Sequence, residues 1–234
     1  CEGESAAAYA SIMRNLQADS DRIGIFPGRG VPKNLYGADI REAIVNAYFA
    51  SFMKVCNLDD KKTYETEEDL NTLNYGKFIF FGDADLDGYH IIGLMIANLW
   101  TYWPELFRQR RVGMWRTPVV RIFANGSKGP EAKILGRYYS DKEYDDAVIS
   151  GSAPKGRVKR LKGLGSVNIG DLAKPGNEIM DDHEFGRVIW FDMTEDGEFA
   201  IETFFSTGMG CAKERKVAIT ELASTCNDEE NEYD

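Results

Sequence analysis

One stretch constrains the fold more than any other. Phe78, Ile79, Phe80 and Phe81 form a continuous apolar run bounded upstream by Gly76 and downstream by Gly82. A run with no polar side reads as a strand buried on both faces. Directly after it, Asp83, Asp85 and Asp87 alternate along an acidic loop that closes at Gly88. Residues 91–103 are then apolar nearly all round, which predicts a buried helix stopped by Pro104. A doubly buried strand that runs through a polar loop into a buried helix points to an α/β fold, because helices on the sheet's two faces supply its burial.

The rest of the chain fits that class. Residues 4–16 read as a helix, 23–27 as a short strand and 28–37 as a glycine-rich loop. Residues 41–55 have helical spacing, with Ile44, Ala47, Tyr48 and Val55 on one face. The polar stretch 57–74 reads as a linker or an exposed insertion. Residues 112–123, interrupted at Pro118, predict one or two strands, 125–130 a turn and 134–139 a returning strand. Ser140 caps a helix running to Ile149, and Glu143 completes a capping box. Residues 158–161 predict a short strand before Gly163 and Gly165, and 171–222 a strand near 188–191 and two helices. No internal repeat is visible. The expected organisation is a parallel sheet flanked by helices over residues 1–150, an α+β extension over 151–222 and an acidic, disordered tail over 223–234.

Composition narrows the function classes. A chain of 234 residues builds one substantial core, or one domain with an appendage. No apolar run reaches membrane-spanning length, and no basic-then-apolar leader opens the sequence. The chain begins at Cys1 rather than Met, inside what reads as a motif, which predicts a segment of a larger enzyme. Cysteines stand at 1, 56, 211 and 226 without a Cys-x-x-Cys pair, which argues for reduced thiols rather than a disulfide framework or zinc site. Only His90 and His183 are present, so a histidine-rich metal centre is excluded. A net charge of −10 argues against general nucleic-acid binding unless charge is segregated.

The acidic loop carries the chemistry. Ligands of open α/β sheets bind outside the carboxyl ends of the strands. If the loop stays extended, Asp83, Asp85 and Asp87 project to one side. Close carboxylates repel unless a cation neutralises them, and oxygen-only ligands suit Mg²⁺ or Mn²⁺. A calcium loop needs a later bidentate Glu, and the position where it would stand falls in the apolar helix, which holds none. A solvated acidic turn is the bland alternative. Two weaker pieces flank the loop: Glu2-Gly3-Glu4-Ser5-Ala6 upstream and Lys162-Gly163-Leu164-Gly165-Ser166 downstream.

In this order the pieces are specific. With Pro27-Gly28-Arg29-Gly30-Val31, Asp83 through Ile91, Trp103-Pro104-Glu105-Leu106 and Thr117-Pro118-Val119, the chain resembles the TOPRIM region (B-subunit or central) of type IIA DNA topoisomerases. The likeness is closer to the eukaryotic and large-phage branches than to bacterial gyrase. It covers roughly residues 1–166, with a weaker echo at 201–216. Four positions depart from the family pattern: Glu4 for Asp, Gly28 for Leu, Val31 for Lys and Tyr89 for a small residue.

The resemblance implies a TOPRIM fold, a Rossmann-like parallel sheet flanked by helices. It implies Mg²⁺ (or Mn²⁺) held by Glu2, Asp83 and Asp85, with Asp87 orienting the loop or its waters, and a catalytic set of Glu2, Asp83, Asp85 and Lys162. Arg29, Lys33, His90 and Lys162 are expected toward DNA, with Lys33 standing in for the cation lost at Val31. The implied reaction is transesterification that cleaves and religates double-stranded DNA, with the tyrosine on a winged-helix domain or A-type subunit. An upstream ATPase domain uses ATP in the whole enzyme, the core is a symmetric dimer and no membrane is involved. The expected compartment is intracellular, cytoplasmic in a bacterial or phage-infected cell ahead of nuclear. The alternatives are another TOPRIM enzyme, such as an OLD-type nuclease or primase, and a non-catalytic assembly module.

Other basic residues have competing readings. Lys155, Arg157 and Lys159 alternate onto one side of an extended chain, with Arg160 and Lys162 on the other; a solvated strand explains the first three as well as DNA does. Arg108, Arg110 and Arg111 are expected to complement a helix C-terminus. Phe80, Phe81, Trp100 and Trp103 are expected in the core.

Overall fold

The computed structural model describes residues 1, 3–15, 19–128, 132–161, 187–208 and 210–231, excluding the side chains of 222–231. In chain order the elements are α1 (Gly3–Asn15), α2 (Ile40–Val45), α3 (Ala47–Cys56), α4 (Glu67–Leu70), β1 (Phe78–Phe81), α5 (Leu86–Tyr102) and α6 (Glu105–Arg108). There follow β2 (Val112–Arg116), β3 (Val120–Phe123), β4 (Ile134–Tyr138), α7 (Asp141–Ile149), β5 (Arg157–Arg160), β6 (Arg187–Trp190), α8 (Glu195–Phe205) and α9 (Cys211–Asn231).

The period of a strand decides how the layers assemble. Along β1, Phe78 and Phe80 pack into one apolar cluster while Ile79 and Phe81 pack into another. The first cluster joins Phe49, Phe52 and Met53 of α3 to Met95 and Leu99 of α5, with Trp103, Leu106 and Phe107. The second joins Ala6, Tyr9 and Met13 of α1 to Phe81 and Trp115. The chain therefore has the expected α/β architecture, with helices on both faces of a central sheet.

The sheet is mixed rather than parallel. β1 pairs parallel with β2, through the crossover formed by α5 and α6, but β2 pairs antiparallel with β6. A second sheet, ordered β4-β3-β5, is antiparallel throughout. For β3 and β4 the reason is connection length: residues 124–133 join them, fewer than a parallel crossover needs.

Three local expectations change. Residues 23–27 form no strand; the chain there is extended and makes one isolated bridge at Gly28. Its partner is only the short lead into α1, with Gly28 N–H donating to the Cys1 carbonyl at 2.8 Å and Gly3 N–H to the Gly28 carbonyl at 3.0 Å. The helix expected over 41–55 is two helices broken at Asn46, whose side chain caps α3 through Phe49 N–H at 3.0 Å. The polar stretch 57–74 is not an exposed insertion, because Leu58, Tyr64 and Leu70 enter the main core. Trp103 Nε1 donates to the Asp59 carbonyl at 3.1 Å and Gln109 Nε2 to the Tyr64 carbonyl at 2.8 Å, tying it down. The last helix, α9, runs through Asn231.

Other signals hold. Ser140 accepts from Glu143 N–H at 3.0 Å, and the Glu143 carboxylate accepts from Tyr139 N–H at 2.6 Å, a capping box that reaches one residue upstream of the cap. Trp103 and Phe81 are buried, and Phe80 and Trp100 pack against the main core.

Candidate functional site

The parallel pairing of β1 with β2 puts two strand ends side by side, since Phe81 faces Trp115 in register. Gly82, Asp83 and Ala84 leave the end of β1, and Arg116 and Thr117 leave the end of β2. They face each other across a narrow cleft that Tyr89 and Ile92 of α5 also line. The acidic loop therefore stands where open α/β sheets present their ligands.

The loop does not stay extended. Helix α5 begins at Leu86, because the Asp85 side chain accepts from Gly88 N–H at 2.9 Å and caps it. Asp87 thus lies in the first helical turn, and the alternation that would set Asp83, Asp85 and Asp87 on one side is broken at Asp85. Asp83 is half-buried, whereas Asp85 and Asp87 are exposed. Both exposed carboxylates stand at the helix N-terminus, where the backbone dipole favours negative charge. Among the described residues, no three His, Cys, Asp or Glu side chains gather as a metal would require. Glu2 and Lys162 lie outside the described residues.

The neighbours of Glu2 are described. Cys1 packs against the Tyr9, Phe81 and Trp115 cluster, and the Cys1 backbone nitrogen donates to the Phe26 carbonyl at 2.9 Å. The entry into α1 is thus held against residues 26–28 and the end of β1. This pairing also explains one departure from the family pattern. A Cβ at position 28 would stand 2.3 Å from the Tyr48 hydroxyl and 3.2 Å from the Cys1 carbonyl, so glycine is what fits. Arg29 follows Gly28 and is exposed.

Lys33 sits elsewhere. Buried Asn98 on α5 donates to the Lys33 carbonyl at 3.0 Å and accepts from Leu35 N–H at 2.8 Å. Asn98 lies about 20 Å along the helix axis from Asp85. The Lys33 ammonium pairs with Glu42 at 2.7 Å. The structure thus brings Arg29 close to the chain entry of α1 but does not bring Lys33 to the acidic loop. His90 is exposed on the second turn of α5. Asn98, which anchors the whole 33–35 segment, was missed in the sequence; a lone Asn in an otherwise apolar helix was its only signal.

The remaining basic residues are mostly engaged locally. Arg108 pairs with Glu105 at 3.1 Å, Arg110 with Asp192 at 3.0 Å, and Arg111 donates to the Gly76 carbonyl at 3.0 Å. Arg157 lies over the Phe123 ring, and Arg160 pairs with Asp141. Tyr9 is buried against Phe81 with ring centroids 5.3 Å apart. Burial pushes its phenol well above the usual range, and Arg121 offsets this only in part.

Fold and site together define an α/β module with an acidic loop at the carboxyl end of β1. Comparison with known proteins places that module. The chain is 32% identical over 206 residues to human DNA topoisomerase 2-alpha, covering 88% of this chain and 13% of that protein. It matches Caenorhabditis elegans DNA topoisomerase 2 top-2 at the same identity and coverage. In fold it is similar to the Plasmodium falciparum topoisomerase II DNA-binding, cleavage and re-ligation domain, with TM-score 0.68 and 22% identity over 92% of this chain and 28% of that one. No family model matches the chain. The chain belongs to the type IIA DNA topoisomerases, on their eukaryotic-like side, and spans 13% of the length of those relatives.

Proposed function

We propose that this chain is the metal-binding module of an ATP-dependent type II DNA topoisomerase, contributing ligands for the step that cleaves and religates double-stranded DNA. The observation that carries the reading is the position of Asp83, past the carboxyl end of β1 and facing the end of β2, with Asp85 two residues on at the start of α5. The donor set fits a hard cation: it is all oxygen, solvent reaches it, and Asp85 commits one carboxylate oxygen to the α5 cap while the other carries no capping bond.

In this reading Glu2 and Asp83 hold one Mg²⁺, Asp83 and Asp85 a second, and Asp87 orients the loop's waters. Bound magnesium supplies Lewis acidity toward phosphoryl oxygens. Arg29, Lys162 and His90 contact DNA in this reading. Lys33 carries less weight, since it would first have to leave Glu42. The nucleophile comes from a tyrosine-bearing winged-helix domain or subunit; Tyr9 is unsuited because it is buried and its phenol resists ionisation. ATP is used by a separate upstream domain. Two copies form a symmetric core, as cutting both strands requires. The compartment is the one that holds the DNA, cytoplasm or nucleus. Among the described residues, no helix is long and apolar enough to cross a membrane.

The test is to incubate the chain with supercoiled DNA and Mg²⁺, alone and then with a tyrosine-bearing partner. Covalently linked DNA is expected only in the mixture, with the adduct on the partner. Cleavage by the chain alone, or an adduct on it, would overturn the shared site in favour of a nuclease-type activity.

A further inference from the structure

Away from the acidic loop, the strand registers gather cations where the two sheets approach. Arg116 of β2 stands directly opposite Arg187 of β6, and Arg121 of β3 stands opposite both Arg137 of β4 and Lys159 of β5. Like charges directly opposite in an antiparallel pair are destabilising, so this arrangement needs a reason.

The cations border a cavity. Arg137 and Arg187, with Tyr139 and Glu143, line a cleft of about 380 Å³. Arg187 lies over the Tyr139 ring, 4.1 Å from its centroid, and Arg116 Nη2 donates to the Tyr139 carbonyl at 2.9 Å. Among the described residues, three guanidinium atoms of these arginines are buried without a hydrogen-bond acceptor: Arg116 Nε, Arg137 Nη1 and Arg187 Nε. A buried donor left unpaired is costly, and a charged one more so. Arginine cannot relieve that cost by losing its proton. Among the described lining residues the one carboxylate is Glu143, and one of its oxygens already accepts from Tyr139 N–H.

We propose that this cleft binds a dianion of the phosphate class. The two lining arginines, Arg137 and Arg187, outnumber the one lining carboxylate, and Arg116, bonded to the Tyr139 carbonyl, adds positive charge beside them. A single carboxylate would meet too few of the open N–H groups. A phosphate offers two charges and oxygens in several directions, and guanidinium forks suit it. The volume admits a group attached to the phosphate. The source is a free phosphate compound or the backbone of a nucleic acid. The site is separate from the acidic loop and does not depend on the metal reading.

The experiment is calorimetric titration of inorganic phosphate into the 234-residue chain, at constant ionic strength and at a pH where phosphate is a dianion. Saturable binding is expected, weakened on the order of tenfold or more in Arg137→Gln. The melting temperature of Arg137→Gln without ligand should equal or exceed the parent's, since the substitution removes an uncompensated charge. Arg187→Lys, which keeps the charge and loses Nε, should also bind more weakly and serves if the first variant folds poorly. A short duplex lacking terminal phosphates gives the second arm. Displacement of phosphate by the duplex assigns the backbone as the source; indifference to it assigns a free phosphate compound, and both support the site. Absence of saturable binding, or unchanged affinity in the folded variants, would overturn it.

Discussion

The acidic loop after β1 and the arginine-lined cleft beside β4 both concentrate like charge, but by different routes. In the loop, Asp83, Asp85 and Asp87 are neighbours in sequence, and their repulsion is eased by solvent and by the start of α5. At the cleft, Arg137 and Arg187 line the wall and Arg116 bonds to the Tyr139 carbonyl; they come from three strands and meet only through register and packing. They are half-buried, so solvent eases little. Charge crowded by adjacency falls on a loop that a cation can reach. Charge crowded by register falls between sheets and calls for an anion.

The largest effect expected is at the loop. Asp83→Ala should lower Mg²⁺-dependent DNA cleavage by the assembled enzyme at least roughly a hundredfold, the scale of losing a key electrostatic group. The fold should remain, as judged by circular dichroism. Normal cleavage by that variant would remove the loop from the chemistry and collapse the contrast between the two regions.

Gly156→Ala tests whether the regions are independent. A Cβ there would stand 2.3 Å from the Phe123 carbonyl, pushing β5 off β3. Overpacking of this kind costs about 1–3 kcal/mol, to be read by urea denaturation. Phosphate binding should weaken while Mg²⁺ binding, followed by titration calorimetry, is kept. Equal loss of both would mean that the sheets respond as one unit.

Asp85 separates cap from ligand. Asp85→Asn keeps a capping oxygen and should leave stability near the parent's, whereas Asp85→Ala should lose about 1 kcal/mol. Both should bind Mg²⁺ more weakly in the same calorimetric assay. If Asp85→Asn binds Mg²⁺ as the parent does, the side chain serves the helix alone.

The smallest effect concerns Tyr9, whose buried hydroxyl has no hydrogen-bond partner among the described residues. Tyr9→Phe should be neutral or stabilise by up to about 1 kcal/mol in chemical denaturation. A clear loss of stability would show that the hydroxyl is satisfied in solution and that the α1 face is more polar than its packing against Phe81 suggests.

Much of the fold was legible because it rests on local signals. The β1 run, the α5 helix, the Ser140 capping box and the strand at β6 each follow from contiguous residues. Misreadings came where a few residues outweighed their surroundings. Tyr64 and Leu70 anchor a stretch that looks like a polar linker, and Asn46 splits a continuous helical pattern. At the site, the position of Asp83 and Asp85 past β1 was readable, but the cap made by Asp85 turned an expected extended loop into a helix start.

By itself, the sequence determined the class of fold, the family and the place of the acidic loop, because a four-residue apolar strand, a loop and a buried helix are set by neighbours along the chain. Only the tertiary structure decided that the central sheet is mixed, that Lys33 is held by Asn98 away from the loop, and that arginines from β2, β4 and β6 surround Tyr139. Strand register and side-chain burial join residues far apart in sequence, and no local pattern encodes which distant strands will pair.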